Sequence, residues 1–279
     1  MERLLPEGVS RTAAGVGVLR ALHYLLDSEP WVIDDPVSRA LFGAVACARM
    51  NDDFAASLGT ERAHALRGHV LVRSAFAEER LRRAVERGVR QFVVLGAGFD
   101  TFAYRQPSWM DGVRVFEVDA PATQAEKRAR LAAAGIAVPP NVVYAAIDFE
   151  RTSLGDGLRQ AALDPATPAF FSWLGVMMYL TRDAVDAVFR TVAAMPPQSE
   201  IAFTFTQGTD ASDALAQRVA ALGEPLRTTV DVASLEAMLG ALGFRDITIL
   251  SPGEAAHYLG ERTDHLRLPP RESIAAAIV

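Results

Sequence analysis

The sequence predicts an α/β fold: an open, mostly parallel β-sheet with helices on both faces, beneath an N-terminal helical cap. Three observations predict it. From residue 91 onward, short apolar runs alternate with longer segments of helical periodicity, the pattern of strands joined by crossover helices. Before that point the chain reads as helices alone. A glycine-rich turn, Gly96-Ala97-Gly98, directly follows the first apolar run, which is where open α/β sheets bind ligands.

The elements follow in order. Residues 11–26 read as a helix ending near Asp27-Ser28-Glu29-Pro30. Residues 36–49 form a second, opened by Asp35 as cap and by Pro36 at the first helical position. A third runs from about Thr60 to Arg87, with Leu66, Val70, Ala77, Leu81 and Val85 at helical spacing and Gly88 as its stop. Gln91–Leu95 is the first strand and Val113–Val118 the second. Ala120-Pro121 opens a helix to about Ala134, proline being tolerated in the first turn. Asn141–Ala145 and Ala169–Trp173 are the third and fourth strands. Thr181 caps a helix whose Val185, Val188, Phe189 and Val192 share one face. Ile201, Phe203 and Phe205 alternate as a fifth strand. Asp231 caps a helix to about 241, and Arg245–Leu250 is the sixth strand. His265–Leu268 is the candidate for a short seventh, and Arg271–Val279 carry no legible signal. The whole reads as one domain, 1–279, with 1–90 as the cap region and 91–270 as the α/β core.

Composition narrows the functions. Of the 279 residues, 50% are apolar and 22% charged, enough to bury a full core without disulfides. The net charge is -6, against a nucleic-acid partner, which needs clustered positive charge. The basic stretch Arg80, Arg82, Arg83, Arg87, Arg90 is interrupted by Glu86 and preceded by Glu78 and Glu79, the mark of a solvated helix face with i,i+4 pairs. The single cysteine, Cys47, lies in an apolar run and reads as packed. The five histidines show no zinc-ligand spacing, so no metal is expected. Met1–Pro6 holds no signal-peptide core, and no stretch reaches the ~20 apolar residues of a membrane span. These features predict a cytoplasmic protein with a small-molecule substrate and no membrane partner; a homo-oligomer is compatible with them.

The chemistry is expected just beyond each strand. After the first come Gly96-Ala97-Gly98-Phe99-Asp100-Thr101, whose glycines allow a sharp turn and close backbone approach to a ligand. After the second comes Glu117-Val118-Asp119, and an acid there can accept both hydroxyls of a ribose. After the third comes Asp148, an acceptor for an adenine amino group. Singly, Asp119 and Asp148 read equally as helix caps; together the three signals point to a nucleoside cofactor. A dinucleotide is disfavoured because Thr101 stands where G-x-G-x-x-G has its third glycine, and no Walker lysine follows. Arg73 has two readings: a surface partner of Glu79 or Asp100, or a two-pronged ligand for a carboxylate.

At these residues the sequence resembles the leucine carboxyl methyltransferase family, which includes bacterial polyketide carboxyl O-methyltransferases. The resemblance covers residues 10 to about 205. It is carried by Val70-Leu71-Val72-Arg73-Ser74, Val94 to Arg105, Val115 to Pro121, Lys127-Arg128 and Trp173 to Leu180, with Thr12-Ala13 and Asp35-Pro36 near the N-terminus. It implies a class I, Rossmann-like methyltransferase fold with a seven-stranded sheet and S-adenosyl-L-methionine as cofactor. It implies that Arg73 holds the cofactor carboxylate, that Gly96, with Ala97, Gly98 and Asp100 around it, contacts the methionine part, that Asp119, beside Glu117, takes the ribose, and that Asp148 and Phe149 hold the adenine. One departure stands out: where the family usually places a glutamate before the run ending Met-Tyr-Leu, this chain has Leu174.

Methyl transfer from a sulfonium needs alignment and exclusion of water. A carboxylate acceptor needs no general base, whereas a hydroxyl does. His23, Tyr104 and Tyr179 are the candidates, and the residues single out none. The reading of His23 that competes is a ring on the cap surface; that of Tyr179 is a packed anchor of the fourth strand. Apolar cap residues, Leu22, Tyr24, Trp31 and Phe42 among them, suit a bulky, hydrophobic small molecule.

Overall fold

The computed structural model describes residues 5–48, 58–208, 220–221, 223–262, 265–270 and 273–279. The chain begins with α1 (Arg11–Leu26), α2 (Pro36–Ala48) and α3 (Glu61–Glu86). Strands and helices then alternate: β1 (Gln91–Leu95), β2 (Arg114–Asp119), α4 (Pro121–Ala133), β3 (Val142–Ala146), α5 (Leu154–Gln160), β4 (Ala169–Trp173), α6 (Arg182–Ala193) and β5 (Glu200–Thr204). Then come α7 (Val232–Ala241), β6 (Arg245–Ile249), α8 (Pro252–His257) and β7 (Ile274–Ile278). The sheet order is β3-β2-β1-β4-β5-β7-β6, and among the described strands only β7 runs antiparallel to its neighbours. This is the class I methyltransferase arrangement that the resemblance implied.

Local signals place most boundaries. Ser10, Thr60, Thr181 and Asp231 each accept an N–H in the helix they cap, at Ala13, Ala63, Ala184 and Ser234. On α6, Val185, Val188, Phe189 and Val192 are buried, as their spacing requires. Burial of each such side chain contributes about 1.5–3 kcal/mol.

Two expectations are corrected. The seventh strand is not His265–Leu268, which pairs with nothing in the sheet, but Ile274–Ile278, so the sheet extends beyond residue 270. Ile-Ala-Ala-Ala-Ile carries little intrinsic strand preference, and it is held between β5 and β6 with Ala275, Ala276 and Ala277 fully buried. The cap is also smaller than 1–90. α3 packs on one face of the sheet, with Val72, Phe76, Leu81 and Val85 against Phe92, Val94 and Phe170. Among the described residues, α1 and α2 form a separate layer, where Val18, Leu22, Leu41 and Phe42 pack with Phe99 of the core. Leu22 and Phe42 are therefore used in holding cap to core.

Four side chains differ from their sequence reading. Cys47 is exposed. His23 is buried: Nδ1 lies 2.8 Å from Asp27, and Nε2 accepts the Val32 N–H at 3.1 Å. The basic face of α3 is divided. Arg82 and Arg83 make the expected exposed pairs with Glu86 and Glu79. Arg80 and Arg87 instead converge on Glu200, a fully buried carboxylate at the start of β5, at 2.5 and 2.6 Å.

Candidate functional site

Parallel pairing of β3, β2, β1 and β4 brings their carboxyl ends to one edge of the sheet. Backbone bonds tie these ends together: Ala97 N–H donates to Val118 O at 2.8 Å, and Ile147 N–H to Asp119 O at 3.0 Å. The Gly96-Ala97-Gly98 turn, the Asp119 end of β2 and the Asp148-Phe149 segment after β3 therefore lie side by side. The turn needs its glycines: φ is 64° at Gly96 and 46° at Gly98, and a Cβ at Gly96 would meet Val176 at 2.4 Å. Ala97 points into the core instead.

Asp119 faces the turn. Its carboxylate accepts the Gly98 N–H and, at 2.7 Å, the N–H of Ala120. Burial pushes its protonation upward against those two bonds. Asp148 is about 45% exposed on its side chain and accepts the N–H of Glu150, while Phe149 is half-buried against the core.

Glu117, two residues before Asp119, lies below this edge. Its oxygens are taken by Lys127 Nζ at 2.7 Å and by the Tyr104 hydroxyl at 2.8 Å, with Glu117 and Lys127 each 1% exposed. Tyr104 also bonds Tyr144. The expectation that Glu117 faces the ligand meets a carboxylate already engaged on both oxygens. Tyr104 is likewise committed, and burial pushes its hydroxyl far above the ordinary phenol range, so neither is placed to accept a proton at the strand ends.

Asp100 also turns inward. Arg20 reaches it at 3.0 Å and reaches Asp35, the cap of α2, at 2.9 Å. Thr101 donates to Asp35 at 2.6 Å, and Arg105 lies 3.6 Å from the same carboxylate while pairing with Glu78. Although burial opposes it, Arg20 and Arg105 hold Asp35 well below the usual carboxylate range. Thr101 thus joins the cap to the loop in place of a third glycine. Sequence reasoning missed Arg20: its partner Asp100 is 80 residues away, and no local pattern links them.

Arg73 pairs with neither of the acids that its surface reading named. It is buried, and its Nε has no hydrogen-bond partner among the described residues. Asp100 pairs with Arg20, and Glu79 with Arg83. Burial pulls the Arg73 guanidinium down to about 10, with Tyr179 the largest influence resisting. It lies against Gly175 at the end of β4, where a Cβ would stand 2.8 Å from Nη1. Leu174, next to Gly175, packs with the sheet-face core and borders a small cleft with Ser74, Glu78 and Asp100. Tyr179 is mostly buried, and that burial raises its hydroxyl above the ordinary phenol value.

A second residue without a sequence signal is Glu224, after β5. It accepts from Ser10 Oγ at 3.1 Å, Arg11 N at 2.7 Å and Thr12 N at 3.3 Å, and also from Thr12 Oγ1.

The sequence model of the leucine carboxyl methyltransferase family matches residues 13–193. A Bacillus subtilis protein provisionally named S-adenosyl-L-methionine-dependent methyltransferase YktD is 31% identical over 206 residues, or 70% of this chain and 67% of that protein. A Mycolicibacterium gilvum protein of the same provisional description is 34% identical over 232 residues, or 80% of this chain and 74% of its own. In other such relatives the match spans slightly less than two thirds of their length, 63% in one from Mycobacterium marinum. Among solved structures, a DUF574 family protein from Streptomyces avermitilis aligns with a TM-score of 0.58 at 18% identity, over 93% of this chain and 96% of that one. A Thermobifida fusca protein, provisionally a methyltransferase, aligns at 0.56 and 21% identity, over 94% and 93%. At that identity the likeness establishes the fold.

Proposed function

The chain belongs to the leucine carboxyl methyltransferase family, and we propose that it uses S-adenosyl-L-methionine to methylate an oxygen, carboxylate or hydroxyl, of a small and fairly apolar metabolite, within secondary-metabolite biosynthesis. One observation carries the cofactor reading: Arg73 is a buried guanidinium, its Nε unpartnered, at the strand-end edge. A buried cation is costly unless an anion meets it, and the carboxylate of a methionine tail is such an anion. The provisional names of the relatives support the same reading.

In this reading Arg73 binds the tail, Gly96 and Gly98 present backbone to it, and Asp119 accepts the ribose hydroxyls. Asp148 and Phe149 take the adenine edge and face. Asp100 holds the turn through Arg20, and Glu117 supports β2 from beneath. Bound there, the cofactor supplies an electrophilic methyl group. The protein's share is alignment and exclusion of water. His23, locked between Asp27 and Val32, Tyr104, committed to Glu117, and Tyr179, whose hydroxyl is raised by burial, are all poor proton acceptors for an acceptor hydroxyl, whereas a carboxylate acceptor needs none.

The test is calorimetric binding of S-adenosylmethionine and S-adenosylhomocysteine to the wild type and Asp119→Ala, followed by methyl transfer to paired phenols and carboxylic acids. Micromolar binding that collapses in the variant is expected. Absence of binding to the wild type would overturn the reading.

A further inference from the structure

We infer that Glu224 is a positioning residue that latches the first turn of α1 over the glycine turn, and that release of this latch sets the rate of cofactor exchange. The role in exchange rests on the cofactor reading above; the latch rests on geometry alone.

Glu224 is contributed by the segment after β5, yet among the described residues its carboxylate bonds go to the start of α1, more than 210 residues earlier. Oε1 takes the N–H groups of Arg11 and Thr12, at 2.7 and 3.3 Å. Oε2 takes the hydroxyls of Ser10, at 3.1 Å, and Thr12. Those four donors fill the acceptor capacity of a carboxylate. They also neutralise two of the N–H groups that a helix start leaves unsatisfied, and the negative charge sits where the helix dipole favours it. The same turn is pinned from another side, since Ser10 N–H donates to Thr123 Oγ1 of α4 at 3.1 Å.

The next residue of that turn, Ala13, roofs the glycine turn. A Cβ built on Gly98 would stand 3.0 Å from the Ala13 methyl. Val176 covers Gly96 in the same way from the β4 side. The Glu224 charge also acts on both Asp119 and Tyr179. The latched turn therefore lies over the backbone that the cofactor tail must reach and beside the acid assigned to its ribose. For a ligand to settle on Gly98 from the side that Ala13 covers, this turn has to lift, and lifting it means parting Glu224 from its donors.

The test has two readouts on the full chain. Amide hydrogen exchange without ligand is compared for the wild type, Glu224→Gln and Glu224→Ala. The latch predicts exchange at Arg11 and Thr12 faster by about tenfold or more in both variants, with the middle of α1 unchanged. Unchanged protection at those amides overturns the latch, whatever the cofactor. Stopped-flow binding of S-adenosylhomocysteine then gives the rates. Association and dissociation both several-fold faster in Glu224→Gln, with Kd nearly constant, are expected. Rates equal to wild type, or slower association, overturn the role in exchange. If Glu224→Ala does not fold, the nearly isosteric Glu224→Gln carries both readouts. A wild type that binds no S-adenosylhomocysteine defeats the cofactor reading and the exchange role together, and the hydrogen-exchange result distinguishes that failure from failure of the latch.

Discussion

Gly175 and Arg73 are fitted to each other: a Cβ at Gly175 would stand 2.8 Å from Arg73 Nη1 and 2.9 Å from Nη2. The glycine has φ of 74°, so its backbone turns away from β4 in a conformation that side chains resist. Gly175→Ala is expected to lose about 1–2 kcal/mol of stability from that conformation. It should also displace the guanidinium and weaken S-adenosylhomocysteine binding about tenfold or more, the loss of one charge-assisted bond. Urea unfolding and calorimetry measure the two effects. Unchanged affinity would mean that Arg73 is not a ligand.

Arg73→Met separates binding from folding. The guanidinium is buried with its Nε unpartnered, so removing it relieves a desolvation cost, and the variant should melt no lower than wild type. Its affinity for S-adenosylhomocysteine should fall by about 1.5–3 kcal/mol, roughly ten- to more than a hundredfold. A large loss of stability would make Arg73 a structural residue.

Asp119→Asn tests the ribose acid through pH. Burial raises the folded-state pKa of Asp119 above its ordinary value. A carboxyl raised on folding contributes most when protonated, and that contribution is lost as pH rises through the folded value. At pH 7 the ionised group therefore costs stability, and asparagine removes the cost. The variant should melt higher than wild type at pH 7, and the gap should close toward about pH 4. Cofactor affinity should collapse at the same time. A variant less stable than wild type at pH 7 would show that the Gly98 and Ala120 bonds outweigh burial.

Glu200→Ala should act on the fold and leave the site alone. It strips Arg80 and Arg87 of a carboxylate that has no exposed side-chain surface. Loss of a buried partner costs about 3–5 kcal/mol, and the lower end applies because Arg87 is 38% exposed and can reach water. Equilibrium unfolding should show the loss, while binding of S-adenosylhomocysteine to the folded fraction stays at the wild-type value.

Elements with a local cause were legible. α1, α3, α6 and α7 begin at residues whose side chains cap their own helices, and β1 and β4 are unbroken apolar runs that are buried throughout. β7 was not legible, because three alanines prefer no strand until β5 and β6 bond them on both sides. α3 was misread as cap because amphipathicity shows that a face is buried without showing what buries it.

The sequence by itself determined the α/β alternation and the neighbouring positions of Gly96, Gly98, Asp119 and Asp148, since each lies at or just past the end of a strand and parallel pairing brings successive strand ends to one edge. It also determined that Arg73 was a candidate. Only the tertiary structure decided that Glu117 is held by Lys127 and Tyr104, that Asp100 belongs to Arg20, that His23 is buried on Asp27, and that Glu224 reaches back to α1. Periodicity and capping act within a few residues, so a sequence displays them. A buried charge takes whichever partner the fold brings within about 3 Å, and that partner can stand anywhere along the chain.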